Sequence, residues 1–347
     1  MWFLVSIQLT LIWLSITLST EVVHNSHKLN HVWTNREMHS DLAKVIQKHQ
    51  SQCSPRVSHY GQRNYGMGSD LHIWTQALCN SMQLGQTLLL LKEPWIWNDR
   101  EFCKEGNNTQ PYSCYFNINK ECPNSISNSP KQIKCSNDLA NCRSFIKDLP
   151  SRQSFRAAAI EYLFSNLNPA LVKAAEGAIN DVFGADGIPE NLITLHLRWG
   201  DKHTEMKLVT EKEYYDALDK MITKHSLTDP HIYVTTESLD GLEKLQEQLK
   251  THNKTWKLHH FAPAIYHSKS EMSPMQMAAN SEGSLGKNSL VALLLAMEAK
   301  YYIVTSGSNW SRLIDELRKN VVDVQCNQCT DITDLREGIP QAQNWRS

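Results

Sequence analysis

The stretch Asn191-Leu-Ile-Thr-Leu-His-Leu-Arg-Trp-Gly-Asp-Lys-His-Thr-Glu-Met206 decides how this chain folds. From Leu192 to Arg198 the residues alternate, with Ile193, Leu195 and Leu197 on one face and Thr194, His196 and Arg198 on the other. That period of two predicts a strand that buries one side, so His196 and Arg198 project together. The strand runs into Gly200, and Asp201, Lys202, His203 and Glu205 follow within a few residues. Both signs of charge gather where an α/β domain binds its ligands, at the carboxyl end of a strand. An arginine there offers a planar fork for phosphate oxygens, and a nearby carboxylate can take a proton from an attacking hydroxyl. The same residue types also make an internally paired surface loop.

Working outward, strands and helices alternate on the carboxyl side. Thr210-Glu-Lys-Glu213 is a capping box that opens a helix with Tyr214, Leu218, Met221 and Ile222 at helical spacing. A strand at His231–Thr236, a helix at Leu239–Lys250 and a strand at Trp256–Phe261 come next. A helix at Ser289–Lys300, a strand at Tyr301–Val304, the loop Thr305–Ser308, a helix at Asn309–Arg318 and a strand at Val321–Gln325 complete the pattern. The order predicts a parallel, Rossmann-like sheet whose ligand loops are Trp199–Glu205, Glu237-Ser238 and Thr305–Ser308.

On the amino side, Gly66 and Gly68 form a turn that Ser69 or Asp70 caps, opening a helix marked by Leu71, Trp74 and Leu78. A glycine turn before a helix can cradle an anion or can be only a tight connection. Thr87–Leu91 reads as a buried strand, and Trp95 and Trp97 after it share a face if extended. Helical patterns cover Ser40–Lys48, Phe155–Leu167 and Pro169–Phe183. Two domains follow from this, 21–185 and 186–347, with a disulfide-rich insertion at 103–142 in the first.

Composition bounds the function. The chain has 347 residues, 41% of them hydrophobic and 20% charged, which is globular, and its formal net charge of -1 gives no reason to expect a nucleic-acid partner. Residues 1–20 begin with an apolar run through Leu18, as a secretory signal or a retained anchor does. Nine cysteines fit an oxidising compartment, seven of them between Cys53 and Cys142 and two at Cys326 and Cys329. The pairing within the first group is not fixed by spacing. Cys326 and Cys329 lack the second ligand pair of a zinc site and read as a structural disulfide. Sequons stand at Asn107, Asn253 and Asn309, the last within a stretch expected to face the site and so expected to be unused. No Asp-x-Asp occurs to hold a divalent cation, so no metal is expected.

Three motifs in order resemble the alpha-1,6-fucosyltransferase family. They are Gly66-Met-Gly-Ser-Asp-Leu-His72 with Gln86-Thr-Leu-Leu, His196-Leu-Arg-Trp-Gly-Asp-Lys202 with Thr204-Glu205, and Asn288-Ser-Leu with Val304-Thr-Ser-Gly-Ser-Asn-Trp-Ser-Arg312. The resemblance implies a two-domain GT-B fold and a metal-independent, inverting transfer of fucose from GDP-fucose to a hydroxyl of a glycan acceptor. By it, Arg198 grips the donor diphosphate and Lys202 and Glu205 activate the acceptor. His196, Asp201, Gly66, Gly68, Tyr214 and Ser308 line the nucleotide-sugar pocket. Golgi lumen or secretion is the implied location, with a membrane as partner only if residues 1–20 stay as an anchor. The chain departs from the family in carrying Trp199 where a second arginine is usual, and Glu237-Ser238 where an acidic pair is usual. The alternative expectation is a secreted, non-catalytic glycan- or nucleotide-binding protein derived from such an enzyme.

Overall fold

In this computed structural model, residues 27–91, 93, 95–104, 112–118, 122, 142–199, 207–265 and 273–336 are described. Residues 1–20, most of the 103–142 insertion and the charged turn Gly200–Met206 lie outside them.

Five parallel strands form the larger sheet, in the order β5-β4-β3-β6-β7: β3 (Leu192–His196), β4 (His231–Thr235), β5 (Lys257–His259), β6 (Tyr301–Val304) and β7 (Asp331–Asp334). Successive strands step outward from β3 to β5, then the chain crosses back and β6 pairs with the other side of β3. The reversal puts a topological switch point between β3 and β6, which is where the carboxyl ends of strands in such sheets open a crevice.

The central strand differs from the one-faced strand that its alternation predicts: all five residues from Leu192 to His196 are buried. Helices cover both faces. The helices α5 (Glu211–Lys224) and α6 (Leu239–Thr251) pack with Ile193, Leu195, Ile232, Val234 and Ile303 on one side. On the other lie α4 (Pro169–Phe183) and α8 (Ser284–Ala296), with Leu192, Tyr233 and Tyr302. Polar groups on that second face find backbone partners, Thr194 Oγ1 donating to Ala296 O at 2.6 Å and the Tyr233 hydroxyl to Ala292 O at 3.2 Å. A buried polar residue is tolerated when it is bonded, which is why alternation alone misjudged the exposure of this face.

The amino half is built around β1 (Val57–Tyr60), α2 (Met67–Gln83) and β2 (Thr87–Leu90), a single parallel crossover whose two strands form their own sheet. The helices α1 (Asp41–Ser51) and α3 (Leu149–Ser165) pack on it. Trp95 and Trp97 are buried and serve packing: their indole N–H groups donate to Asp70 Oδ2 at 2.8 Å and to Tyr65 O at 2.9 Å. One cluster of buried side chains runs from Trp33 through α2, α3, α4, α8 and onward to Val322, joining both halves of the chain. The backbones come close where α8 starts, since a Cβ on Gly286 would lie 1.9 Å from Trp97 O.

Two sequence expectations fail at the ends of elements. Val321–Gln325 is not a strand. The helix α9 (Asn309–Leu317) continues through a π turn at Arg318–Val322 into a last turn, Asp323–Gln325, and the outer strand is β7 beyond it. Val321 and Val322 look strand-like because both are buried, but Arg318 ties the turn by donating to Asp315, Asp323 and Thr330. The glycine turn ends earlier than predicted as well. Gly66 is the cap of α2, while Gly68, Ser69 and Asp70 already lie in its first turns.

Four disulfides join Cys53–Cys122, Cys79–Cys142, Cys103–Cys114 and Cys326–Cys329, and they fit an extracellular or secretory location. The last is the structural bond that its spacing suggested. The ninth cysteine, Cys135, lies outside the described residues. Among the described residues, no helix is long and apolar enough to cross a membrane. Cys79 is fully buried on α2, and its bond to Cys142 closes a separation of 63 residues. Replacing both cysteines by alanine lowers the unfolding free energy by about 2–4 kcal/mol, read from denaturant titration. An unchanged midpoint would show that this bond does not hold α2 in place.

Candidate functional site

At the switch point two helix starts meet. Gly68, in the first turn of α2, approaches the start of α9 so closely that a Cβ would lie 3.3 Å from Asn309 C and from Trp310 N. Only glycine fits there without moving backbone. Asn309 clasps the two helices: its Nδ2 donates to Ser69 Oγ at 2.7 Å, and its Oδ1 lies 2.9 Å from His72 Nδ1 and accepts from Arg312 Nη2 at 2.8 Å.

Beneath the clasp lies a buried ion pair. Glu316 on α9 is bonded by Arg156 Nε from α3, and its Oε2 is 3.1 Å from His72 Nε2. Burial alone would push the Glu316 carboxyl up, but the Arg156 guanidinium and the His72 ring outweigh it and hold it at about 2. Burial holds the His72 ring below its usual pKa despite that carboxylate, with Arg156 and Arg312 opposing its protonation. At neutral pH Glu316 therefore carries the negative charge that Arg156 balances.

Among the described residues, neither helix start is capped by a side chain. Ser40, Asp148, Asn168, Thr210 and Ser238 cap five other helices, whereas Gly66 and Ser308, like Gly283 at the start of α8, make no such bond at the starts of α2 and α9. Two helix N-termini set side by side with their leading amides uncapped by side chains present partial positive charge to one place, as an anion site requires. Gly66 adds a second point. Its backbone, at φ -56° and ψ 138°, suits any residue, and among the described residues a Cβ there would meet nothing within 4 Å. Neither its conformation nor the described residues around it demand this glycine.

The exits of β3 and β6 lie beside these helix starts. His196 Nδ1 lies 2.6 Å from Ser311 Oγ, which also accepts the Thr305 amide at 2.9 Å, so the end of β3 is tied to the loop after β6. Burial, with Arg198 nearby, pushes the His196 pKa down to about 3. The ring is neutral across the physiological range and acts by hydrogen bonding, not by proton transfer. Ser308 is buried as the cap residue of α9, its amide donating to Thr305 O at 2.9 Å. The loop is braced from behind by Gly307 N donating to Arg336 O at 3.0 Å and Ser306 N donating to Asp334 Oδ1 at 3.0 Å.

Arg198 follows β3 directly. Its Nη1 is paired with the carboxylate of Glu237, from the exit of β4, and donates to Trp199 O at 2.7 Å. The guanidinium is 12% exposed and its direction is set by these partners. Tyr214 is wholly buried: its hydroxyl accepts the Arg198 amide at 3.3 Å and donates to His196 O at 3.4 Å. It therefore braces the strand exit. Trp199, where the sequence breaks the resemblance, is buried against α6 with Lys244 Nζ 5.0 Å above its ring.

Of the residues that the sequence singled out, Gly66, Gly68 and Ser308 mark the two helix starts, and His196, Arg198 and Tyr214 share the exit of β3. Asp201, Lys202 and Glu205 lie outside the described residues. Among the described residues, Glu237 is a carboxylate that engages Arg198, and the buried Arg156–Glu316 pair had no signal in the sequence beyond an arginine within an apolar helical pattern. Among the described residues, no three His, Cys, Asp or Glu side chains gather as a metal site.

The chain matches no protein-family model and no curated protein sequence.

The Glu316 carboxyl titrates far below the usual 4.5, so its stabilisation is complete above about pH 4.5 and is lost as the pH falls toward 2. Glu316→Gln leaves Arg156 buried without its counter-charge and costs about 3–5 kcal/mol at pH 7. In thermal unfolding from pH 7 down to 3, the gap between the two proteins should narrow below about pH 4.5 without closing. A constant gap across that range would remove the carboxylate from the account.

Proposed function

We propose that this chain is a glycosyltransferase that binds a nucleoside-diphosphate sugar at the switch point and transfers the sugar to a hydroxyl. The observation that carries the reading is the meeting of α2 and α9 starts, without side-chain caps, at the crevice between β3 and β6. A diphosphate carries the charge that two such N-termini favour, and Arg198 is a cation just beyond β3, the strand that pairs with β6. GDP-fucose is the donor that the motif resemblance implies, with a GT-B-like pairing of the two halves. The acceptor is a glycan hydroxyl in that reading.

The chemistry divides among the residues by type. Backbone amides at the two helix starts and the Arg198 guanidinium stabilise the departing diphosphate as its negative charge grows. Glu205 removes the proton of the attacking hydroxyl, and Lys202 keeps that carboxylate ionised. A single displacement inverts the anomeric centre. His196, held neutral, orients the nucleotide by hydrogen bonding, and Glu237 aims the guanidinium. The charge neutralisation falls to these groups, so binding is independent of added metal.

One observation favours the second reading, a secreted non-catalytic binder: Arg198 already has a carboxylate partner in Glu237. The two readings share the anion site and part at the base. Both predict that calorimetric titration with GDP, in EDTA, gives micromolar affinity that falls at least about 10-fold in Arg198→Ala and in Gly66→Val, while UDP binds more weakly. Glu237→Gln lowers affinity by a smaller factor, because the guanidinium loses its direction but keeps its charge. Transfer or donor hydrolysis by the wild type, abolished in Glu205→Gln with GDP affinity kept, selects the enzyme. Folded protein that binds no guanosine nucleotide would contradict the transferase and leave a glycan binder.

A further inference from the structure

The three sequons differ in what the fold does with their asparagines. Asn309 starts α9 with its amide nitrogen on Ser69 Oγ and its oxygen on Arg312, so that side chain is committed to the clasp. Asn107 lies outside the described residues. Asn253 is exposed and sits at φ 51°, in the left-handed turn that follows α6, with its amide donating to Lys250 O at 3.0 Å. Thr255, the hydroxyl residue of that sequon, is exposed too.

An aromatic stack brackets this turn. The His252 ring lies on Tyr215 of α5 with centroids 4.2 Å apart and planes 17° from parallel. Tyr215 in turn stacks on Trp256, at 5.6 Å and 19°. Lys254 Nζ sits 4.9 Å from the Trp256 centroid and donates to Asp219 Oδ1 at 2.7 Å. Residues on both sides of Asn253 are thus anchored to α5, which holds the turn in a fixed and accessible shape. His252 itself is exposed, so the stack ends in an aromatic face open to solvent next to Asn253. The apolar face of a pyranose packs on such a surface.

We infer that Asn253 is an N-glycosylation site whose first N-acetylglucosamine rests on the His252 end of this stack. In the modification, Asn253 Nδ2 attacks the anomeric carbon of an oligosaccharide carried on a lipid diphosphate. The N–C bond forms as the C–O bond to the diphosphate breaks, Nδ2 gives up one proton, and the lipid diphosphate leaves. The inference needs entry into the secretory lumen, which the disulfides fit, and stands independently of the proposed donor site. Topology keeps the two apart. Asn253 joins the end of α6 to the beginning of β5, at the amino edge of the sheet, while the candidate crevice opens at the carboxyl edge.

The full chain secreted from eukaryotic cells in an Asn107→Gln background tests this. Peptide N-glycosidase should increase its gel mobility and convert Asn253 to aspartate in the recovered peptide. Asn253→Gln and Thr255→Ala should each abolish the shift, and Thr255→Ser should restore it. A secreted protein whose Asn253 peptide is wholly unmodified overturns the site. The seat is read separately by trimming the glycan: melting falls by about 2–4 °C in the parent and is unchanged in His252→Ala. Equal losses in both proteins would overturn the contact with the stack.

Discussion

The contact on which this structure depends is the backbone approach of Gly68 to Asn309 and Trp310, which brings the starts of α2 and α9 within van der Waals range. The two helices come from opposite halves of the chain, and hydrophobic packing alone would not fix their register. Asn309 supplies it through bonds to Ser69, His72 and Arg312. The buried Glu316 carboxylate then locks the arrangement, since it answers Arg156 from a third helix. Such a pair adds little net stability over a well-packed apolar core, but an unmatched register would bury a charge alone. The pair therefore selects one alignment of the helices, and that alignment sets their two starts side by side above it.

The rest of the site is assembled by strand order. Because β6 returns to pair with β3, the loops Leu197–Trp199 and Thr305–Ser308 leave the sheet side by side. The His196–Ser311 bond ties them, Tyr214 braces the first, and the backbone of Arg336 with Asp334 braces the second. Rigid support of this kind holds groups within the tolerance that binding of a diphosphate demands. Glu237, from the neighbouring strand, extends the same logic to the Arg198 guanidinium.

Much of this was legible in the sequence where pattern is local. Alternation from Leu192 to Leu197, the Thr210–Glu213 capping box and the Tyr301–Val304 run each gave the element that forms. What pattern could not show was the second covered face of β3, because Thr194 and His196 satisfy their polar atoms through partners more than a hundred residues away. Val321–Gln325 misled for a related reason, its buried valines being held in a π turn by Arg318 and not by strand pairing. The proposed anion site was half visible. Gly66 and Gly68 marked a helix start, but the close backbone that calls for glycine at Gly68 appears only in three dimensions. Glu316 and Arg156 gave no local signal, since a buried pair is defined by residues 160 apart in sequence.

Backbone amide exchange with and without GDP tests the central claim most directly, because it reads the proposed donors themselves. Nucleotide held at the paired helix starts slows exchange of the amides in residues 66–70 and 305–311 and leaves the amino edge of the sheet unchanged. Saturation with GDP that slows exchange elsewhere, and not at both helix starts, would contradict the account.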